Sequence, residues 1–372
     1  MEVLSVEMRD FRTYVRGDAR LGPGLTIVHG PNGAGKSNLL EALYFGCTGR
    51  SPRTRNDREL VRFGERATRV VVGLRADGEA HELGVGYGVA APGSPAEKRM
   101  TCDGAPVERL LDLPVRPLIS VFMPDRLELV KGAPGLRRAH LDQLIAAVWP
   151  ARAATRREYA QVLVQRNALL ARIRAGRSSH DTLDTWDREL AQSAIALRED
   201  RSSVVAQLAP MFARRAEELG LVGDVAVEYR PRTRAGDVEE LVGELRDRRT
   251  SDLERGFSTH GPHRDELALL RDRRELRVYG SQGEQRLALL ALLMAERSLL
   301  SAERGVTPLM LLDDVMSELD ASRRELLAAE LAASGQSVIA TTDLAHVPGG
   351  AGAEVTRLRI APGVVFGEAV AA

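Results

Sequence analysis

Short apolar runs of strand length mark the first and last thirds of the chain, whereas the middle third places apolar residues three and four positions apart. Short apolar or alternating runs predict β-strands. Such runs occupy residues 4–11, 26–28, 67–90, 118–122, 225–229, 267–270, 309–313 and 337–341. Asp77-Gly78 is a dipeptide typical of a hairpin turn. Both ends of the chain are therefore predicted to form sheets.

The helical signal has three parts. One helix is predicted from residue 36 to about 47, where Gly49 follows as a typical helix end, and another from 282 to 302. Between them, residues 134–220 are polar, rich in Ala, Leu and Arg, and carry apolar residues at helical spacing. This spacing is shown by Tyr159, Val162, Leu163 and Arg166. The pattern predicts an α/β fold with an inserted helical arm.

A glycine-rich segment lies between the strand at 26–28 and the helix that follows it. It reads Gly30-Pro31-Asn32-Gly33-Ala34-Gly35-Lys36-Ser37, with Asn38 next. Glycines let backbone N–H groups point at phosphates with no Cβ in the way. In such a loop Lys36 reaches the β- and γ-phosphates, and Ser37 is a ligand of Mg²⁺. The segment predicts a P-loop whose nucleotide contacts are residues 30–38.

Two adjacent carboxylates follow an apolar strand near the end of the chain. Asp313 ends the run Leu309-Met310-Leu311-Leu312 and is predicted to hold Mg²⁺, together with Ser37. Asp314 is placed to orient or deprotonate the attacking water, so we expect it to be catalytic with Lys36. Many ATPases with this pair have Glu at the second position. The shorter aspartate predicts slow hydrolysis.

A small turn opens the predicted helix at 282–302. Ser281 and Gly283, with Gln285, form the sequence Gly280-Ser281-Gln282-Gly283-Glu284-Gln285. A serine hydroxyl and the N–H groups of a helix N-terminus make an anion site. Alone, this sequence also resembles a helix cap. About 30 residues before Asp313, it is typical of the signature motif of ABC-type ATPases, which contacts the nucleotide of a partner subunit.

The three segments together predict an ABC-type P-loop ATPase head with an inserted, mainly helical second lobe. Residues 1–132 and 223–372 are expected to form the ATPase core, and residues 133–222 the helical arm. The expected cofactors are ATP and Mg²⁺. Because the P-loop of one chain already serves the γ-phosphate, Ser281 is expected to act on the partner's ATP, which predicts an ATP-dependent homodimer. Residues 317–320 then resemble the D-loop of that interface.

Two elements of such a site are not resolved by the sequence. The strand after the aspartate pair ends in Thr341-Thr342-Asp343, so either Thr342 or Asp343 senses the γ-phosphate or caps the next turn. No clear Q-loop glutamine follows the strand at 118–122, and Asp125 is the candidate substitute.

Charge and composition change the picture little. The 52 basic and 52 acidic residues balance, so the whole protein has no net field that attracts nucleic acid. Locally, residues 152–177 hold one acid and seven arginines, a candidate nucleic-acid surface or a solvated helix face. These arginines are at 152, 156, 157, 166, 172, 174 and 177. Cys47 and Cys102 lack metal-ligand spacing and are expected to be free thiols.

The hydropathy pattern predicts no contact with a membrane. No apolar run approaches the roughly 18 residues that span a bilayer, and Met1-Glu2-Val3-Leu4 lacks the apolar core of a signal peptide. The expected location is the cytoplasm, in association with the nucleoid.

Beyond these motifs, the chain resembles the RecF family of bacterial recombination mediators over nearly its whole length. Asp10-Phe11-Arg12-Thr13-Tyr14 is similar to the family's N-terminal strand end. Three longer segments carry the resemblance in order. They are Pro124-Asp125 through Leu129-Val130-Lys131-Gly132-Ala133-Pro134, Arg137-Arg138 and Leu141-Asp142; His260-Gly261-Pro262-His263-Arg264-Asp265-Glu266-Leu267; and residues 311–320. His140 departs from the family, which usually has an aromatic residue there.

The resemblance implies a function in recombinational repair of single-strand gaps and in replication restart. It implies binding to double-stranded DNA and to junctions of double- and single-stranded DNA, DNA-stimulated ATP hydrolysis, and partnership with RecR in loading RecA, with RecO in the same pathway. It also places the loop with His260, His263 and Arg264 near the nucleotide and the dimer surface. Arg55 and Arg58 lie where related ATPases carry DNA- or phosphate-contacting arginines, or in a solvated loop.

Other classes fit the sequence less well. The subunit of a transporter would need a switch histidine and a shorter gap between the P-loop and the aspartate pair. A small-molecule P-loop kinase would not need residues 280–285, and a GTPase would need an Asn-Lys-x-Asp motif. A structural SMC-like protein would need a far longer coiled-coil arm. His260 and His263 lack further ligands at metal-binding spacing, so a structured loop is expected there.

Overall fold

The computed structural model describes residues 1–89 and 95–368, apart from the side chains of residues 124, 125, 318 and 368. Its strands are β1 (Glu2–Phe11), β2 (Tyr14–Arg20), β3 (Leu25–His29), β4 (Ala67–Ala76), β5 (Glu79–Val89), β6 (Ala96–Cys102), β7 (Ala105–Val107), β8 (Ile119–Phe122), β9 (Val225–Arg230), β10 (Glu266–Arg271), β11 (Arg274–Glu275), β12 (Leu309–Asp313), β13 (Ser337–Thr341), β14 (Thr356–Ala361) and β15 (Val364–Glu368). Its α-helices are α1 (Lys36–Thr48), α2 (Glu128–Lys131), α3 (Pro134–Val148), α4 (Ala153–Arg174), α5 (Leu183–Glu218), α6 (Val238–Asp247), α7 (Arg249–Arg255), α8 (Leu276–Tyr279), α9 (Gln282–Arg304) and α10 (Ala321–Ala333).

The chain divides into two compact units, which are described separately. Unit 1 comprises Met1–Arg126 and Leu300–Ala372, and unit 2 comprises Leu127–Leu299. The sequence instead divided the chain at residues 132 and 222, and that division remains a prediction. Residues 223–299 fall in unit 2 because β9 packs against the long helix α5 and pairs with β10.

Unit 1 contains two six-stranded sheets. One has the order β2-β1-β4-β5-β6-β7 and is antiparallel throughout. The other has the order β15-β14-β3-β13-β12-β8, in which only the β14–β15 pair is antiparallel. Strands β12 and β13 are buried along their whole length, as expected of parallel strands covered on both faces. Their carboxyl ends, with that of β3, carry the predicted nucleotide site.

Helix α1 shares one hydrophobic core with both of these sheets. Leu39, Leu43 and Phe45 of α1 belong to a buried cluster that also contains Val72 of β4 and Leu311 of β12. Gly46 lets the helix approach the antiparallel sheet closely, because a Cβ there would lie 2.4 Å from the Cγ2 atom of Val72. The helix that follows the P-loop is therefore fixed by packing along its whole length.

Unit 2 is built around a helical hairpin. Helices α4 and α5 pack against each other, and α5 has 36 residues, a length of about 54 Å. The three-stranded sheet β11-β10-β9 and helix α6 pack against the same hairpin. This confirms the predicted helical stretch at 134–220, which the structure resolves into α3, α4 and α5.

The predicted strands and helices are all present, with ends that differ by at most two or three residues. Residue 90, predicted as the end of a strand, lies outside the described residues. The sequence missed strands whose apolar content is low. In β6, for example, Glu97, Lys98 and Arg99 interrupt the pattern, and no residue of the strand is fully buried. Strand β2 was missed for the same reason. Strands β14 and β15 were also missed, although β15 begins with the apolar residues Val364, Val365 and Phe366.

Candidate nucleotide site

The loop between β3 and α1 has the backbone of a phosphate-binding loop. Gly30, Gly33 and Gly35 have φ angles of 152°, 76° and 116°, which residues other than glycine rarely adopt. A Cβ on Gly30 would also lie 2.2 Å from the carbonyl oxygen of Ile360, and one on Gly35 would lie 2.9 Å from the hydroxyl of Tyr14. The glycines are therefore required at these positions by backbone geometry and by close contacts.

Lys36 is the first residue of α1, and its side chain folds back over the loop. Its Nζ donates hydrogen bonds of 2.8 Å to the carbonyl of Gly30 and 3.0 Å to that of Pro31. Burial lowers the pKa of the ammonium, and the carboxylates of Asp314 and Asp313 oppose that shift. The lysine thus lies between the glycine-rich loop and the aspartate pair, which is where a triphosphate needs a positive charge.

Asp313 and Ser37 are brought together although they lie near opposite ends of the chain. The pairing of β13 with both β3 and β12 places Asp313 beside the P-loop. Burial raises the pKa of the Asp313 carboxyl, and a hydrogen bond with Ser37 opposes the shift. A hydroxyl and a carboxylate are the oxygen ligands that Mg²⁺ prefers. The two side chains predicted to hold the metal therefore fit it in position and chemistry.

Asp314 has an unusual backbone conformation and an unused carboxylate oxygen. Its φ angle is 52°, and its N–H donates to the carbonyl of Ala340 at 3.0 Å. In the described part of the chain, its Oδ1 atom is buried without a hydrogen-bond partner. Buried carboxylate oxygens are normally hydrogen-bonded. This oxygen is available to accept a hydrogen bond from a water beside the γ-phosphate, as the predicted catalytic role requires.

A network of charged side chains that the sequence did not reveal holds the start of α1. Glu41 is fully buried and accepts hydrogen bonds from Arg12 at 2.8 and 2.9 Å, Ser51 at 2.6 Å and Arg53 at 3.2 Å. Arg53 also donates to Asn38 at 3.1 Å, and its charge opposes the rise in the pKa of Asp313 that burial causes. The only sequence signal for Arg53 was its place in an arginine-rich loop after the P-loop.

Ser281, in unit 2, is the N-cap of α9. Its hydroxyl accepts a hydrogen bond from the N–H of Glu284 at 3.3 Å, and the Glu284 carboxylate accepts one from the N–H of Ser281 at 2.8 Å. This is a capping box. Gln285 is buried and donates to the carbonyls of Leu276 and Gly280, so it holds the turn. Within this chain its amide serves the turn, and its predicted nucleotide contact remains a prediction.

Gly283 differs from the glycines of the P-loop. A Cβ built on it would meet nothing within 4 Å, and the residue is exposed in the first turn of α9. No contact within the described residues therefore requires glycine at this position. A glycine on an open helix N-terminus permits close approach of a group from another molecule.

The possible switch residues differ in their environments. The Asp343 side chain caps the next turn by accepting a hydrogen bond from the N–H of Ala345 at 2.9 Å. Thr342 is half-buried beside it. In the predicted D-loop, the Ser317 hydroxyl donates to the carbonyl of Asp314 at 2.8 Å. The side chain of Asp125, the candidate Q-loop substitute, lies outside the described residues.

The histidines of the 260–263 loop have structural partners, as the sequence predicted. His263 Nδ1 lies 2.6 Å from the Tyr159 hydroxyl, and its Nε2 lies 3.0 Å from the carbonyl of Ser258. His260 contacts Glu244. In the part of the chain that the structure describes, no three His, Cys, Asp or Glu side chains are arranged to hold a metal ion.

The arginines at 152–177 do not form one surface. Arg166 is fully buried and pairs with Asp187 at 2.7 Å and Asp252 at 2.8 Å. Arg152 and Arg156 form ion pairs with carboxylates of neighbouring helices, and Arg174 donates to two backbone carbonyls. Four of the seven arginines thus have partners within unit 2, although only Arg166 is buried and the other six are exposed.

The two sheets, the P-loop and the aspartate pair define an ABC-type P-loop ATPase. Residues 5–81 match a family described as AAA domain. A DNA replication and repair protein RecF from Streptomyces avermitilis is 38% identical over 92% of this chain and 93% of its own length. The corresponding protein from Herpetosiphon aurantiacus is 33% identical over 98% of this chain and 100% of its own length. The chain belongs to the RecF family.

Solved structures agree with this assignment. A structure of the recombination mediator protein RecF with ATP, described as part of the RecFOR pathway, superposes with a TM-score of 0.84 at 28% identity, covering 99% of this chain and 98% of that one. A head domain of Smc bound to ScpA matches with a TM-score of 0.59 at 15% identity, covering 100% of this chain and 98% of that one, which shows a shared fold alone. None of the helices in residues 1–89 and 95–368 has the length and hydropathy of a membrane span.

Proposed function

We propose that ATP closes two copies of this chain into a dimer that holds DNA, and that hydrolysis opens it. ATP is bound by residues 30–38 of one copy. Ser281 and the N–H groups at the start of α9 in the other copy contact the same γ-phosphate. ATP favours the dimer only because it makes contacts there that a monomer lacks.

The observation that carries the proposal is the open environment of Gly283. A Cβ on this residue would meet nothing within 4 Å, so no contact in the described part of its own chain requires glycine there. The N-terminus of α9 is capped by Ser281 and has N–H groups suited to an anion. A partner's triphosphate is a ligand that uses both features.

In this proposal, different residues near the P-loop bind the metal, neutralise the phosphate charge and orient the attacking water. Ser37 and Asp313 would hold Mg²⁺, which would supply positive charge to the phosphates. Lys36 adds a second positive charge at the loop. Asp314 accepts a hydrogen bond from the attacking water through its free oxygen and orients it or takes its proton. The short aspartate makes this step slow, so the closed dimer persists.

The DNA part of the proposal derives from the family. Relatives are named DNA replication and repair proteins. We infer that this chain binds duplex DNA next to single-strand gaps, near the nucleoid, and assists RecA loading with RecR in a pathway that includes RecO. A transport subunit has no specific observation in its favour, since neither Thr342 nor Asp343 is the histidine that such subunits usually have.

Subunit complementation tests the shared site. Lys36→Met should lose ATP binding, and Ser281→Arg should bind ATP yet remain monomeric. In a mixture, one of the two sites has an intact P-loop from the Ser281→Arg copy and an intact Ser281 from the Lys36→Met copy. Mixing the two inactive variants should therefore restore ATP hydrolysis. If Ser281 acted within its own chain, the mixture would stay inactive.

Light scattering of Asp314→Asn with duplex DNA tests the clamp. The variant should be a monomer without ATP, become a dimer with ATP, and then retain the DNA. Dimerisation without DNA retention would preserve the ATPase mechanism and exclude DNA as the held partner under these conditions.

A further inference from the structure

Four arginines lie in one row across the antiparallel sheet of unit 1. The backbone register pairs Arg16 of β2 with Arg9 of β1, and Arg9 with Arg69 of β4. It continues from Arg69 to Gly86 of β5 and from Gly86 to Arg99 of β6. Residues directly opposite each other in a sheet point to the same face. We name Arg16, Arg9, Arg69 and Arg99 the arginine row.

The arginine row is exposed and only half compensated by acidic groups, since Arg9 pairs with Asp10 at 3.9 Å and Arg99 with Glu97 at 2.9 Å. All four residues are exposed, with 83% of the Arg9 side chain and 77% of the Arg99 side chain accessible. Across residues 1–89 and 95–368, Arg16 and Arg69 have no carboxylate within 4.0 Å. Like charges directly opposite each other destabilise a sheet. The row therefore has a cost in the isolated protein that an anionic partner would remove.

The spacing of the row suits a polyanion. Strands in a sheet are about 4.8 Å apart, so four steps from β2 to β6 span about 19 Å. Gly86 lies between Arg69 and Arg99 in the row. Among the described residues, a Cβ on Gly86 would meet only the carbonyl oxygen of Thr68, at 3.9 Å, so no close contact requires glycine there. A glycine between two arginines leaves room for a phosphate backbone to approach the sheet.

An exposed aromatic residue lies at the same end of the sheet. Phe63 is 99% exposed. It occupies the second position of a turn closed by a hydrogen bond from the N–H of Glu65 to the carbonyl of Arg62, and the φ angle of Gly64 is 89°. These features are typical of a type II turn, in which the second residue lies at the tip.

The turn is fixed rather than loose. The N–H of Arg62 donates to the carbonyl of Asp10 at 2.8 Å, and its guanidinium pairs with the carboxylates of Asp10 at 2.9 Å and Glu65 at 2.7 Å. Asp10 directly follows Arg9 of the row. A rigidly held, fully exposed aromatic residue together with exposed arginines is a combination with which proteins bind single-stranded nucleic acids, because bases stack on the ring and the positive charges contact the backbone.

We propose that this face binds DNA at the point where a duplex opens. The arginine row holds the phosphate backbone of the duplex, and Phe63 stacks on the first base whose face is exposed. The inference rests on the proposed DNA-binding function and specifies its surface. A nucleic acid would use both the charge of the row and the aromatic ring. An acidic protein surface would use the charge but would not need the ring.

The test measures binding of the full-length protein, with ATP, to blunt and to gapped duplex DNA by fluorescence anisotropy. Phe63→Ala should weaken binding to gapped DNA about tenfold, within the range that one stacked base contributes, and leave binding to blunt duplex unchanged. Val222→Ala, at an 81% exposed residue of unit 2, is the control. A fluorescent 2-aminopurine at the gap edge should be quenched by wild type and not by Phe63→Ala.

The arginine row has its own matched control. Arg16→Ala with Arg69→Ala should weaken binding to both DNAs and reduce the slope of log affinity against log salt by about 2. Arg20→Ala with Arg75→Ala removes two exposed arginines from the same two strands, outside the row, and should not.

The outcomes distinguish failure of this DNA-binding surface from failure of the proposed DNA-binding function. Absence of DNA binding by wild type would contradict the proposed function itself. With wild type bound, equal affinities of Phe63→Ala and wild type for gapped DNA would exclude stacking. Equal effects of the two double variants would exclude the row. If the face instead docks an acidic protein, both row and Phe63 variants bind DNA as wild type does, which also overturns the inference.

Discussion

The Nε atom of Arg166 lies 2.7 Å from the Oδ1 atom of Asp187, and both side chains are completely buried between α4 and α5. Arg166 also contacts Asp252 and Ser258 at the start of the loop that carries His260. One charged residue therefore joins the helical hairpin to that loop. Burial of an ion pair is tolerated only when both charges keep their partners.

Replacement of Arg166 should accordingly destabilise unit 2. Arg166→Met leaves two buried carboxylates with fewer partners, and we expect a loss of about 3–5 kcal/mol in the free energy of unfolding, measured in urea. Arg172→Met, on an exposed position of the same helix, should change it by less than about 0.5 kcal/mol. Similar losses in the two variants would refute a structural role for the buried pair.

The contact between α1 and β4 predicts opposite effects for two helical glycines. Glycine is normally unfavourable in a helix by about 0.5–1 kcal/mol relative to alanine. Gly243→Ala should gain about that amount in stability, because no atom of the described residues lies within 4 Å of a Cβ there. Gly46→Ala should instead lose stability by about 1–3 kcal/mol through its collision with Val72. Thermal unfolding of both variants measures the difference, and stabilisation by Gly46→Ala would contradict the close packing of α1.

The free oxygen of Asp314 predicts separation of binding from hydrolysis. Asp314→Asn should retain ATP affinity, since Lys36, Ser37 and Asp313 are unchanged. Its turnover should fall at least ~100-fold, the lower part of the range for loss of a general base. Single-turnover hydrolysis and equilibrium ATP binding test the two statements. If the variant still hydrolysed ATP at the wild-type rate, a group other than Asp314 would have to be the catalytic one.

The Glu244–His260 contact predicts acid sensitivity of unit 2. Burial acts to raise the pKa of Glu244, but hydrogen bonds from Thr233 and His260 outweigh it, and the pKa is lowered overall. A lowered folded-state pKa gives stability that is present above the unfolded pKa and is lost as the pH falls through the folded pKa. The loss should therefore begin below about pH 5.

Glu244→Gln removes the titrating group and should unfold at lower urea concentration than wild type at pH 7. The gap between the two proteins should shrink as the pH falls towards about 3. Glu239→Gln, at an exposed position of the same helix α6, is the control and should follow the wild-type profile. A gap for Glu244→Gln that stayed constant with pH would show that its effect is not electrostatic.

The sequence predicted the fold and the conformation of the glycine-rich loop well because each depends on local patterns. A buried strand requires the run of apolar residues before Asp313, and a phosphate-binding loop requires glycines at positions from 30 to 35. Arg166 shows the limit of such patterns. Its spacing from Tyr159 predicted a position on the apolar face of the helix, whereas its charge predicted a position on the surface with the other arginines. Only the positions of Asp187 and Asp252, fixed by tertiary packing, decide between the two.

The arginine row was also beyond sequence analysis, for a different reason. Arg9, Arg16, Arg69 and Arg99 are separated in the chain and meet only through strand register. Strands β2 and β6, which carry two of them, have too few apolar residues to be predicted. The density of arginines along the sequence instead indicated residues 152–177 as the nucleic-acid surface, and most of the arginines there have partners within unit 2.

The pairing of β3 with β13, and of β13 with β12, has a consequence for protein synthesis. A ribosome that has made the P-loop must still make the whole of unit 2 before β12 and β13 emerge. At roughly 5–20 residues per second, this takes many seconds. Unit 2 can complete its own core during that time, whereas the nascent chain has a P-loop without the carboxylates of Asp313 and Asp314. With the proposed roles of Asp313 and Asp314, a partly made chain cannot hydrolyse ATP, and we expect activity to begin only once the last of these strands is in place.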